Sequence, residues 1–185
     1  MIILGVDPGT LITGYGIIEA QDGRIRVLAY DAIRNDSRKS MPLRLKLIFD
    51  TLDAAIRKYH PDEFALETAF YGKNAQSALK LGHARGVAML AAVAREIPTS
   101  EYSPREVKKA IVGNGQASKE QVQYMVKSLL KLKQTPKYYD TTDALAVAIC
   151  HMHRSHSPQR RFKSWKAFLT AHPDKLASAE RARRR

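Results

Sequence analysis

The sequence predicts an α/β fold in which an antiparallel meander of three strands gains further strands after intervening helices. Three observations carry this. The opening run Ile2-Ile3-Leu4-Gly5-Val6 is short and apolar, and ends on Asp7 before a Pro8-Gly9 turn. Two more strand patterns follow directly, over residues 13–20 and 24–33, joined at Asp22-Gly23, a strong hairpin signal. From there the apolar spacing becomes helical, and the next strand-like run, Phe64-Ala65-Leu66-Glu67, comes only after a full helix.

In residues 24–33, Ile25, Val27 and Ala29 alternate with Arg24, Arg26 and Leu28, so one face is expected to be apolar. The three strands should form a meander that leaves strand one, 2–6, open on its far edge. A polar break over 35–40 leads to a helix over 42–59, where Leu43, Leu47, Phe49, Leu52 and Ile56 recur near helical spacing. Ser40 is placed to cap it and His60-Pro61 to end it. Because a helix intervenes, the strand at 64–67 should lie parallel to strand one, which sets Asp7 and Glu67 side by side.

A loop over 68–73 carries Phe70 and Tyr71. A long helix, 74–96, follows, with Ala78, Gly82, Gly86 and Ala88 small enough for close packing on another helix. A fifth strand spans 97–102. Ser103-Pro104 opens a basic helix carrying Arg105, Lys108 and Lys109, and Gly113-Asn114-Gly115 breaks it. Ser118-Lys119-Glu120-Gln121 is a capping-box pattern, starting a helix with Val122, Met125, Val126, Leu129 and Leu130. The last core helix, 140–151, is rich in alanine. Beyond His153 the chain turns basic, while Trp165, Phe168 and Leu169 keep helical spacing. The expected organisation is one domain over 1–156 and a basic C-terminal tail over 157–185 that could hold a short amphipathic helix.

The chain has 185 residues, enough for one domain with a real core. Lys and Arg number 31 against 18 Asp and Glu, a formal charge of +13 that points to a polyanionic partner, nucleic acid before an anionic membrane. The lone cysteine, Cys150, excludes an internal disulfide and a cysteine-rich zinc module, and its apolar setting reads as a buried inert thiol. No charged leader precedes the first apolar run, and the longer apolar stretches are interrupted by Arg, Lys or His, so a cytosolic protein without a membrane segment is expected.

Four carboxylates stand in contexts that could join: Asp7, Glu67, Asp140 and Asp143. A carboxylate ending a buried strand is costly unless something pairs with it. Asp140 and Asp143 are three apart and project from one helical face, although Asp140 alone is also what a helix N-terminus favours. Asp143 continues directly into the apolar run Ala144-Leu145-Ala146-Val147. Acids gathered at element ends would repel unless cations neutralise them, and an all-oxygen donor set suits magnesium or manganese. Two such ions about 3.5–4 Å apart could stabilise both the attacking and the leaving oxygen of a phosphodiester displacement.

Lys108 and Lys119 flank the glycine turn, and Lys119 lies in the first turn of a helix, where phosphate is favoured. The spacing Gly113-x-Gly115-x-x-x-Lys119 is not a Walker motif. Phe70 and Tyr71 are candidates to stack on an unpaired base, local packing being the alternative. His151, His153 and His156 do not hold one helical face and read as a solvated helix end, not a metal cluster.

Taken together, these residues resemble the RuvC family of crossover junction endodeoxyribonucleases. The resemblance runs from Gly5-Val6-Asp7-Pro8-Gly9 to about His153 and includes Ala65-Leu66-Glu67-x-x-Phe70 and Asn74-Ala75-x-Ser77-Ala78-Leu79-Lys80-Leu81-Gly82-x-Ala84-Arg85-Gly86. It continues through Val107-Lys108-Lys109-Ala110-x-Val112-Gly113-x-Gly115, Lys119-x-Gln121-Val122-x-x-Met125-Val126 and Asp140-x-x-Asp143-Ala144-Leu145-Ala146. It implies a ribonuclease H-like fold, a mixed five-stranded sheet of three antiparallel and two parallel strands flanked by helices. It implies a homodimer that nicks two strands of a four-way (Holliday) DNA junction symmetrically with magnesium, in recombination and repair, beside the RuvA–RuvB branch-migration complex in the bacterial cytoplasm. By matched position, Asp7, Glu67, Asp140 and Asp143 take the metal-binding acids' roles, two ions per subunit. Phe70 matches an aromatic that engages opened bases, and Lys108 and Lys119 match DNA-contacting residues. Dimer contacts are expected along the 74–96 helix. Nothing is carried onto the tail.

Three rivals differ at nameable features. Asp7-x-Gly9-Thr10 with Gly14 is similar to the phosphate loop of actin-type and sugar-kinase ATPases, but those need a second such domain and 185 residues are too few. A binding module without catalysis would not need all four acids. The related YqgF-type nucleases share the first motif but not the blocks at 74–86 and 107–115.

Overall fold

A computed structural model describes residues 1–21, 23–68 and 75–155. Met1–His153 forms one compact unit. The expected hairpin residue Asp22, the loop aromatics Phe70 and Tyr71, and the basic tail over 157–185 lie outside the described residues, as does His156.

The strands are β1 (Ile2–Asp7), β2 (Ile12–Gln21), β3 (Arg24–Arg34), β4 (Glu63–Glu67) and β5 (Thr99–Tyr102). The helices are α1 (Met41–Tyr59), α2 (Ala75–Val93), α3 (Pro104–Val112), α4 (Lys119–Leu129) and α5 (Tyr139–Ser155). The sheet order is β3-β2-β1-β4-β5, with β1–β2 and β2–β3 antiparallel and β1–β4 and β4–β5 parallel. This is the mixed sheet that the sequence predicts, and β1 does lie on the far edge of the meander, beside β4.

Side chains alternate across the sheet and sort into two cores. Leu4, Val6, Ile17, Phe64 and Leu66 face α1 and α2. Ile3, Ile18 and Ala65 face α3, α4 and α5. Asp7 is two residues beyond Gly5 on β1, and Glu67 two beyond Ala65 on β4, so both carboxylates point to the α5 side.

The run from Thr141 to His151 on α5 is buried all round except at Asp143. The helix can lie this close because the sheet offers glycine beneath it. A Cβ on Gly5 would sit 2.2 Å from the Ala144 carbonyl oxygen, and one on Gly14 would sit 1.9 Å from that of Asp140. Both contacts are with backbone, which cannot swing away. Glycine at these positions lets α5 rest on β1 and β2 and fixes the height of its acids over the strand ends.

Four local expectations need correction. The alternation in β3 does not persist, because the register shifts between Ile17 and Ile18, which pair with Ala29 and Val27 and leave Leu28 as the extra residue. Ile25 and Val27 therefore pack on the α5 side, while Leu28 and Ala29 pack on the α1 side. On α1, Ile48, Leu52, Ala55 and Ile56 are the buried residues and Leu43 and Leu47 are exposed; Ser40 holds the N-cap position without a side-chain cap bond. On α2, Ala88 packs as expected, together with Ala84, Ala91 and Ala92, whereas Gly82 and Gly86 meet no described residue of this chain. His151 is not at a solvated end. It is fully buried, with Nδ1 2.7 Å from the Tyr102 hydroxyl and Nε2 hydrogen-bonded to Glu63. His153 is exposed as expected.

Candidate active site

Three elements converge on one point. β1 and β4 run parallel with Val6 opposite Leu66, so their next residues, Asp7 and Glu67, project together from the strand ends. Asp143 comes down on them from the first turns of α5. One carboxylate oxygen from each of Asp7, Glu67 and Asp143 lies within 4.8 Å of the other two. Asp140 stands outside this triplet, in the first turn of α5, but its negative charge acts on both Asp7 and Asp143.

The cationic wall is built by two well-capped helices. Ser103, directly after β5, accepts a hydrogen bond from the Glu106 backbone N–H while the Glu106 carboxylate accepts from the Ser103 N–H, fixing the start of α3. Ser118 and Gln121 form the same reciprocal pair on α4. The α3 helix carries Lys108 and the first residue of α4 is Lys119. Both line a cleft of about 260 Å³ with Asp7, Glu67 and Asp143. The Lys119 Nζ lies 3.5 Å from Asp143 Oδ2 and 5.7 Å from the centre of the Tyr139 ring.

The electrostatics are those of an acid cluster short of positive charge. Burial raises the Asp7 carboxyl well above its ordinary range, and the charges of Glu67, Asp143 and Asp140 push it further, against the pull of Lys119. Burial, with Asp143, lifts Glu67 to about 7, despite Lys119 and Lys108. Asp143 is also raised, chiefly by burial, although Lys119 opposes the shift. Partial burial lowers Lys119, but the charge and hydrogen bond of Asp143, together with the charges of Asp7 and Asp140, hold it above its ordinary value. Two lysines thus fail to compensate three half-buried carboxylates. An all-oxygen donor set with unneutralised negative charge fits a hard divalent cation.

Of the predicted site residues, Asp7, Glu67, Asp143, Lys108 and Lys119 come together in one cleft, and Asp140 is next to it. Phe70 and Tyr71 follow on the chain from Thr68, whose backbone N–H and hydroxyl both donate to the Tyr102 carbonyl at 2.8 and 3.2 Å. The apolar side of the cleft, Pro104, Val107 and Val122, was not singled out in the sequence. Nor was the strut from His151 to Glu63 and Tyr102, which ties α5 to β4 and β5. Its signal was a histidine four residues after Val147 on an otherwise apolar face.

A mixed five-stranded sheet with helices on both faces, and carboxylates ending two adjacent parallel strands beneath one helix, defines the ribonuclease H-like class of fold. The family model described as crossover junction endodeoxyribonuclease RuvC matches residues 3–151. The protein of that name from Salinibacter ruber is 46% identical over 178 residues, covering 96% of this chain and 99% of its own. That from Shewanella pealeana is 54% identical over 156 residues, 84% of this chain and 89% of its own. The structure of T. thermophilus RuvC in complex with Holliday junction substrate is similar at a TM-score of 0.80 and 29% identity, over 84% of this chain and 94% of that one. The chain belongs to the RuvC family.

Proposed function

We infer that this protein is a crossover junction endodeoxyribonuclease, a metal-dependent hydrolase that resolves four-way DNA junctions by paired, symmetric nicks in recombination and repair. The observation that carries the reading is the Asp7–Glu67–Asp143 triplet, set beside Lys108 and Lys119 in a chain of this family.

Asp7, Glu67 and Asp143 would hold the metal, with Asp140 completing the shell. The reading assigns two magnesium ions per subunit, with manganese able to substitute. A metal held there would supply Lewis-acid charge to the phosphate and lower the pKa of a nearby water. The chain's own residues do the rest. Lys108 and Lys119 set positive charge where the phosphodiester enters. Pro104, Val107 and Val122 wall off water on one side. Lys119, tethered to Asp143, keeps its proton and so stays a cation throughout the working pH range. Phe70, and Tyr71 beside it, engage opened bases at the junction centre.

The active form is a homodimer, which supplies two clefts for two nicks. Support comes from α2, which leaves Leu79, Leu90 and Val93 more than half exposed and Gly82 and Gly86 meeting no described residue of this chain. The RuvA–RuvB complex is the proposed branch-migration partner, in the bacterial cytoplasm and on the nucleoid when DNA is bound. No helix among the described residues is long and apolar enough to cross a membrane. Residues 1–156 act as the nuclease domain and 157–185 as a basic arm.

The test is cleavage of a synthetic four-way junction beside a linear duplex of the same sequence, with and without magnesium. Paired, ligatable nicks on the junction alone, and only with metal, are expected. Tight junction binding without cutting in several sequence contexts would replace the enzyme with a binding module, and no preference for the junction would defeat the reading.

A further inference from the structure

A second cleft opens on the other side of the α5 N-terminus. Thr141 lines it, whereas Asp143, two residues on, lines the acid cleft, so the first turns of the helix divide the two. It measures about 310 Å³ and lies between β3, which gives Tyr30, Asp31 and Arg34, and the segment entering α5, which gives Lys137 and Tyr138.

Its chemistry is cationic and aromatic. Tyr138 is bracketed by two positive charges, the Arg34 guanidinium 6.0 Å and the Lys137 Nζ 5.6 Å from its ring centre. Arg34 also donates to the Tyr138 hydroxyl at 3.3 Å, which sets the direction of the guanidinium. Neither cation has a carboxylate within salt-bridge distance among the described residues. Arg34 and Lys137 are exposed, and Tyr30 is 38% exposed on the same wall. Asp31 is the one acid in the lining, so the cleft keeps a net positive charge. Both positive charges line the same cleft, and an anion bound there offsets the repulsion between them.

We propose that this cleft is a DNA-backbone site, in which Arg34 and Lys137 hold a phosphate of the junction arm that passes over the start of α5 from the acid cluster, with its sugar or base against Tyr30. The site rests on the nuclease reading above and adds to it a contact outside the cutting cleft.

The test is the double substitution Arg34→Ala and Lys137→Ala in the full chain, with junction affinity measured against salt in calcium, so that binding is read without cleavage. Each lost phosphate contact should lower the slope of log affinity against log salt by about one. Going from 50 to 200 mM salt should then cost the parent about 3.5-fold more affinity than the double variant, which lacks that one contact. Lys58→Ala, which removes a cation 5.0 Å from the Tyr59 ring on α1, should leave the slope unchanged. An unchanged slope in the double variant, or an equal fall in Lys58→Ala, would overturn the site. A parent that does not prefer the junction would instead overturn the nuclease reading itself.

Discussion

The acid cluster should make the metal-free protein lose stability as pH rises, which is the reverse of ordinary acid denaturation. Glu67 has a folded pKa of about 7 against 4.5 for the free side chain. Between those values the folded state binds more protons than the unfolded one, so unfolding free energy falls with rising pH. A shift of this size corresponds to about 3 kcal/mol lost between pH 4.5 and pH 8. Asp7 and Asp143 are raised as well and act with the same sign. For a chain of this size, about 3 kcal/mol moves the melting temperature by about 6–12 °C. The assay is thermal unfolding in chelator from pH 5 to pH 8, comparing the parent with Glu67→Gln. The variant should lose the share of the downward slope that Glu67 carries, keeping that of Asp7 and Asp143, and above pH 7 it should be the more stable of the two. Magnesium should flatten the parent's slope, since a cation on the folded state alone favours the ionised acids. A parent whose stability is flat or rising over this window, with Glu67→Gln parallel to it, would refute the assignment of repulsion and burial at this cluster.

Other perturbations separate position from chemistry. Gly14→Ala puts a methyl group 1.9 Å from the Asp140 carbonyl oxygen, roughly 1.5 Å inside ordinary contact, so α5 must shift with its acids. Misplacement of that order should lower single-turnover cleavage by about 100-fold while junction binding persists; a normal rate would show that α5 need not rest on β2. His151→Ala removes the link between Glu63 and Tyr102 and should destabilise the fold by about 2–4 kcal/mol in denaturant unfolding. A loss below 0.5 kcal/mol would mean that the strut contributes only geometry.

Much of this was legible because strand order and helix caps are local signals. The turn at Gly23, the intervening helix α1, and the Ser103 and Ser118 capping boxes each follow from neighbours in the chain, and together they bring Asp7 to Glu67 and Lys108 to Lys119. The rest depends on tertiary contact. The extra residue at Leu28 redirects β3 from one core to the other without any mark in the alternation. Gly82 and Gly86 look like a packing stripe, but the face turned to α1 is the alanine one. His151 resembles a helix-end histidine until the fold supplies Glu63 and Tyr102. Gly5 and Gly14 show the converse: their role becomes visible only once α5 is seen lying on them.

The account turns on whether the buried acids cut DNA, and Asp143→Asn tests this most directly. The side chain keeps its shape while losing its charge, and Lys119 keeps a hydrogen-bond acceptor. Junction binding and single-turnover cleavage should be measured on the same preparation with magnesium. Binding within a fewfold of the parent, with cleavage reduced by several orders of magnitude, is the predicted result. Near-normal cutting by Asp143→Asn would contradict the metal assignment and, with it, the mechanism built on the triplet.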